Sequence, residues 1–153
     1  MVKLQDYLKP DLVINNKSAQ SKKKVFEIIS EKFAETLPEH KQKHIFEALI
    51  TRERLGVTGL GHGIAIPHCR LENLNQPQVL VLKLDKPIDY DASDNVPVDI
   101  IIALVIPEAS NEEHLQLLAS IAKIFSNHKN LEHVRHAKDE ATLYNVLINA
   151  YAP

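Results

Sequence analysis

Residues 98–106 read Val98-Asp99-Ile100-Ile101-Ile102-Ala103-Leu104-Val105-Ile106, an almost unbroken apolar run rich in β-branched side chains. A strand with one wet face alternates apolar and polar residues; a run this continuous implies a strand covered on both faces, hence a sheet with helices above and below it. The expected fold is α/β, a mixed β-sheet with helices on both faces. At 153 residues the chain has the size of one domain, 1–153, able to bury a core without disulfides or a structural metal.

Upstream of that run, Gln78 to Leu84 is rich in Val and Leu and reads as a second strand, and Ile88 to Tyr90 as a short third one. Downstream, Ser110 and Glu113 have the spacing of a capping box, and Leu115, Leu118, Ile121, Ala122 and Phe125 continue as a helical stripe. A short helix is expected over Leu131 to Ala137, and Asp139 can cap a last one through Leu143, Val146 and Leu147. Towards the N-terminus, Ser21 is placed to cap a helix in which Val25, Ile28, Ile29 and Phe33 recur at helical spacing. Pro38 is expected to end that helix and begin the next, whose apolar face carries Ile45, Phe46, Leu49 and Ile50. Arg52 and Glu53 fall in its last turn, and Gly56 takes the C-cap position.

Composition narrows the function classes. The hydrophobic fraction is 44% with 25% charged residues, and no apolar run approaches the length of a membrane span. The opening residues show no export signal, and the lone Cys69 forms no internal disulfide, which fits a reducing cytoplasm. A net charge of −2 with both signs interspersed gives no footprint for nucleic acid or anionic lipid, so the expected partners are proteins or small anions. The one charge run, Lys22-Lys23-Lys24, reads as a solvated helix face.

All four glycines, Gly56, Gly59, Gly61 and Gly63, fall within eight residues, and the segment continues Ile64-Ala65-Ile66-Pro67-His68-Cys69-Arg70. Such clustering marks an unusual loop: either a complicated turn between a helix and a strand, or a backbone able to approach an anion. No nucleotide-binding P-loop or G-x-G-x-x-G pattern is present. His68 follows a proline that fixes its own φ and biases Ile66 towards extended geometry, which makes a rigid mount for an imidazole. A histidine at a strand end can be a nucleophile, a general base, a metal ligand or simply structural.

A second histidine, His114, falls in the first turn of the helix after the 98–106 strand. Ligand sites in α/β sheets form outside the carboxyl ends of strands, and helix N-termini attract phosphate. The helix terminus and the apolar neighbours Leu115, Leu117 and Leu118 both disfavour an imidazolium there, so His114 is expected to be neutral.

The combined segments T-R-E-R-L-G-V-T-G-L-G-H-G-I-A-I-P-H (51–68), D-N-V-P-V-D (94–99) and E-H-L-Q-L-L-A-S-I-A (113–122) resemble the IIA domains of the fructose and mannitol branch of the bacterial phosphotransferase system, in particular its nitrogen-regulatory type. The likeness runs from Leu4 to the final helix, and the glycine-rich motif is its most specific part. The resemblance implies that His68, at the end of G-I-A-I-P-H, is the phosphoryl acceptor, that His114 supports the site, and that Arg52 lies near the phosphoryl group. It further implies a cytoplasmic phosphotransferase component, a carrier charged by a histidine phosphocarrier protein, which controls regulatory target proteins by its phosphorylation state. The family usually has glycine directly after the acceptor histidine; here it is Cys69.

The residue types suit that chemistry. A neutral imidazole has one ring nitrogen with a free lone pair, able to attack phosphorus, provided the other nitrogen is held by a hydrogen bond; a loop carbonyl near the glycines is the expected acceptor. Charge on the phosphoryl oxygens would be met by His114, Arg52 and a phosphate-binding loop of Thr58, Gly59, Gly61 and Gly63. No metal or cofactor is required. His40 with His44 and His133 with His136 have helical spacing but lack a third ligand, and Cys69 is a poor thiol nucleophile because adjacent residues on an extended chain face opposite ways. The main alternative is a sugar-specific IIA component that passes its phosphoryl group to a IIB domain.

Overall fold

A computed structural model describes residues 3–109 and 112–150. After a 3-10 turn over Leu4–Asp6 the chain forms β1 (Leu8–Lys17), α1 (Lys22–Thr36), α2 (Gln42–Leu55), β2 (Gly59–Gly61), β3 (Ile64–Ala65), β4 (His68–Leu71), β5 (Gln78–Ile88), β6 (Val98–Pro107), α3 (Glu112–Ser126), α4 (His128–His136) and α5 (Glu140–Ile148). The sheet order is β1-β5-β6-β3-β2, with β4 also on β6. β1 runs parallel to β5, β5 antiparallel to β6, and β3 and β4 both parallel to β6. The sheet is mixed, as expected.

β6 is the central strand, and every residue from Ile100 to Pro107 is buried. Its side chains alternate between two cores. Ile101, Ala103 and Val105 join Val25, Phe26, Ile29, Phe33, Ile45 and Leu49 of α1 and α2; Ile100, Ile102, Leu104 and Ile106 join Leu117, Ile121, Phe125, Val134 and Leu143 of α3, α4 and α5. The apolar run is thus continuous because both pleat faces are dry.

The helix caps follow their residue types. The Ser21 hydroxyl accepts from the Lys24 N–H, and the Asp139 carboxylate accepts from the Thr142 N–H at 2.7 Å, each satisfying an otherwise unpaired helix donor. Gly56 closes α2 with its N–H on the Glu53 carbonyl. Pro38 begins a separate turn; α2 starts only at Gln42, with Lys41 at the N-cap and no side-chain cap bond. Ile88 ends β5 and forms no strand of its own with Tyr90. The Ser110–Glu113 capping box lies outside the described residues and side chains.

β1 is an edge strand whose register with β5 slips twice, and it contains Pro10. The Asn15 N–H is bonded across to the Glu140 carboxylate of α5 at 3.1 Å. At the end of α4, the Lys83 ammonium reaches three carbonyls, those of Val134, Arg135 and Ala137, at 2.8–2.9 Å. It serves as a C-cap delivered from β5, favoured both by the unpaired carbonyls and by the helix dipole. Desolvation holds the Lys83 pKa below its ordinary value. Among the described residues no helix is long and apolar enough to cross a membrane.

Candidate functional site

β3 and β4 are in effect one strand with a break. Ile64 faces Ile100, Ala65 faces Ile101, and His68 faces Leu104, so the register along β6 is kept across Ile66 and Pro67. The Pro67 carbonyl still accepts from the Leu104 N–H at 3.0 Å. What changes at the break is Ile66. Its N–H leaves the β6 direction and donates to the Thr58 carbonyl at 2.9 Å, and its carbonyl meets His68 Nδ1 at 2.9 Å. A carbonyl only accepts, so Nδ1 carries the proton and Nε2 carries the lone pair. The acceptor is thus the residue just past the glycine stretch, two positions before the ring.

His68 is partly buried, and burial holds its pKa below the ordinary 6.5. The bond to Ile66 opposes this, the Arg52 charge adds to it, Glu53 opposes it and Arg70 adds to it. The balance favours the neutral ring with a nucleophilic nitrogen at physiological pH.

The ring borders a pocket of about 660 Å³ at the sheet edge, between α2 on one side and α3 on the other. Arg52 and His114 line the same pocket, so three residues widely separated in the sequence share one space. Arg52 lies in the last turn of α2, with Nη1 on the Gly56 carbonyl at 3.0 Å. His114 lies in the first turn of α3, and its Nδ1 is buried without a hydrogen-bond partner among the described residues. An unpaired buried ring nitrogen, on a residue that lines the same pocket as His68, is an unmet hydrogen-bonding group. Exposed Leu55 and Leu115 stand at the pocket's rim, where His44 and Arg70 add polar edges.

The glycine-rich segment is placed elsewhere. Gly59–Gly61 is β2 and pairs antiparallel with β3, closing a tight hairpin through His62 and Gly63. Gly61 and Gly63 take φ of +94° and +85°, and His62 takes +58°, so the glycines serve a left-handed turn. A Cβ on Gly63 would come within 2.6 Å of the Arg135 guanidinium, which itself holds the Asp99 carboxylate and the His62 carbonyl. The register puts this turn opposite Ile100, four residues of β6 from Leu104, or roughly 13 Å from His68. Gly59, Gly61 and Gly63 do not line the pocket, and the Thr58 hydroxyl is bonded to the Glu53 carboxylate at 2.6 Å. The structure brings together His68, His114 and Arg52 at one pocket, and places Gly59, Gly61 and Gly63 of the expected phosphate-binding loop in the hairpin.

Cys69 does not disturb a loop. It is the second residue of β4, faces Val105, and packs into the α1–α2 core while His68 turns the other way. Burial pushes its thiol up to about 12, which removes the thiolate at neutral pH. His40 sits in the turn before α2, its Nε2 on the Glu72 carbonyl, so it shares no helix with His44. His136 bonds the Glu132 carbonyl through Nδ1. Among the described residues no group of three or more His, Cys, Asp or Glu side chains is placed to hold a metal ion.

Comparison with known proteins converges on one group. Residues 6–150 match the family described as phosphoenolpyruvate-dependent sugar phosphotransferase system, EIIA 2. The chain is 43% identical over 149 residues to a nitrogen regulatory protein of Pseudomonas aeruginosa, covering 97% of each, and 34% identical over 144 residues to one of Bradyrhizobium diazoefficiens, covering 94% of each. A fructose-specific EIIA component of Haloferax volcanii is 32% identical over 101 residues, 66% of each chain. Among solved structures, the nitrogen regulatory protein IIA-Ntr of Neisseria meningitidis superposes with a TM-score of 0.86 at 31% identity, covering 93% of this chain and 97% of that one. The IIA mannitol protein of Escherichia coli superposes with a TM-score of 0.74 at 17% identity over 91% and 97%, which establishes the shared fold.

Proposed function

The chain belongs to the EIIA 2 family of the phosphoenolpyruvate-dependent sugar phosphotransferase system, and from that premise we propose that it is a cytoplasmic phosphocarrier that accepts a phosphoryl group on His68 Nε2 and regulates target proteins by its phosphorylation state. On this reading residues 1–153 form one phosphocarrier domain, and the donor is a histidine phosphocarrier protein. The nitrogen regulatory relatives support a regulatory member of the family.

One observation carries the reading: the Ile66 carbonyl fixes Nδ1 of His68 as the donor, leaving the Nε2 lone pair in a pocket shared with Arg52 and His114. In the step, the Nε2 lone pair forms a bond to phosphorus as the P–N bond to the donor's histidine breaks, and the donor nitrogen keeps the released electron pair. Exchange between a phosphohistidine and a free histidine is nearly balanced, so the group can be passed on without nucleotide hydrolysis. Arg52 meets the phosphoryl oxygens with its guanidinium and His114 with a ring nitrogen; the Ile66 carbonyl, accepting from Nδ1–H, stabilises the positive charge that develops on the His68 ring.

Incubation with a phosphorylated histidine phosphocarrier, followed by intact-mass measurement, tests the reading. One phosphoryl group per chain is expected on the native protein and none on His68→Ala; full labelling of the variant overturns it. The relative from Haloferax volcanii favours a second reading, transfer to a IIB domain for sugar uptake. Charging by the sugar-branch carrier in strong preference to the nitrogen-branch carrier would select that reading.

A further inference from the structure

We propose that Glu53 is a positioning residue for the His68 ring, acting through Thr58 and Ile66. The inference rests on His68 being the phosphoryl acceptor, and it assigns a task to a carboxylate outside the pocket.

Glu53 is 8% exposed, an unusual place for a carboxylate. Its position follows from spacing, since Ile45, Leu49 and Glu53 succeed one another at four-residue intervals on the buried face of α2. It is held there by partners from three segments. Lys22 at the start of α1 places its ammonium 2.9 Å from Oε2 and 4.4 Å from the centre of the Tyr90 ring. The Tyr90 hydroxyl lies 3.4 Å from Oε1. Thr58 donates twice, its N–H to Oε2 at 3.1 Å and its hydroxyl to Oε1 at 2.6 Å.

The Thr58 bonds matter most, because the next links lead to the site. The Thr58 carbonyl accepts the Ile66 N–H at 2.9 Å, and the Ile66 carbonyl accepts the His68 Nδ1–H at 2.9 Å. Thr58 and Ile66 are each gripped on both their N–H and their carbonyl, which leaves little freedom in the peptide that selects the ring's tautomer. Pro67 has no N–H and restricts Ile66 to extended geometry, so the main hold on that segment from the α2 side runs through Thr58 to Glu53. The Glu53 charge also opposes the influence of Arg52 and Arg70 at the ring, in the direction that preserves its basicity.

The test uses the full chain labelled with ¹⁵N at histidine. Long-range ¹⁵N–¹H spectra report the His68 tautomer, and the phosphorylation rate is followed in parallel. The native protein should show one tautomer, protonated at Nδ1. Glu53→Ala should mix the tautomers and slow phosphoryl acceptance about tenfold, the size of effect seen when a partner orienting a functional histidine is removed. Glu53→Gln keeps an amide oxygen for the Thr58 N–H and should retain the native tautomer, although both variants lose the partner of Lys22 and melt earlier. A merely structural Glu53 would make the two variants alike, so a folded Glu53→Ala with the native tautomer, or a Glu53→Gln that mixes tautomers as the alanine variant does, overturns the proposal. Should Glu53→Ala fail to fold, Glu53→Met fills the same volume without accepting a bond and takes its place. The tautomer readout needs no phosphoryl donor, so a His68 that never labels overturns the preceding reading and leaves the positioning role separately decidable.

Discussion

The carbonyl of Ile66 and Nδ1 of His68 lie 2.9 Å apart, two residues from each other along a chain that otherwise runs as strand. The contact is local, made by a residue that Pro67 biases towards extended geometry, and it is the last link in the chain of bonds that reaches the ring from Glu53 through Thr58. Removing the ring or either of its two pocket neighbours should therefore have separable effects.

His114→Ala should still accept a phosphoryl group but pass it on about a hundredfold more slowly, as expected when one group stabilising developing charge is deleted. Single-turnover transfer to a downstream acceptor, measured from pre-charged protein, checks this; unchanged onward transfer would remove His114 from the site.

Phosphorylation should be insensitive to pH through neutrality and fall with a midpoint below 6.5, because burial holds the His68 pKa under that value. The sign for stability follows by linkage. The unfolded chain binds this proton more readily than the folded one, so the contribution of His68 is complete above 6.5 and is lost as pH falls from there towards the folded value. A rate midpoint at or above 6.5 in a pH series would contradict the burial of the ring.

Gly63→Ala should destabilise the protein by about 1–3 kcal/mol, since the new methyl meets Arg135 at an unfavourable φ. Thermal melting gives the first number and the phosphorylation rate the second. Loss of stability with a retained rate marks the hairpin as scaffolding, whereas a folded variant that cannot be charged would return the glycines to the phosphate site.

Lys83→Met should cost about 1.5–3 kcal/mol, because it leaves three carbonyls at the end of α4 without their charged donor. Hydrogen exchange localised to α4, faster than in the native protein, would distinguish a lost cap from a general weakening.

Much of this architecture could be read from residue patterns, and what escaped has physical causes. The 98–106 run announced a doubly covered strand because both pleat faces are filled, and Ser21 and Asp139 announced helix starts because their side chains do the capping. β1 was not legible: Pro10 and two register slips scramble its period, leaving neither alternation nor a solid run. Pro38 was read too simply, because a proline can open a turn as readily as a helix. His68, His114 and Arg52, each singled out in the sequence, line one pocket, whereas the glycine cluster lies in the β2–β3 hairpin. Glycine signals a backbone requirement without saying whether ligand or turn imposes it, and here the φ values answer for the turn. Glu53 carried a signal that went unused, its four-residue spacing from Leu49 and Ile45 on the dry face of α2.

The outer rim of β1 has a consequence for the particle as a whole. An uninterrupted, unoccupied strand border would invite a second sheet to extend it, and molecules would chain together through their edges. Here Pro10 lacks a donor, the ladder is kinked twice, and one amide is already claimed by Glu140. Edge-to-edge pairing of one copy with another along this border is thereby discouraged.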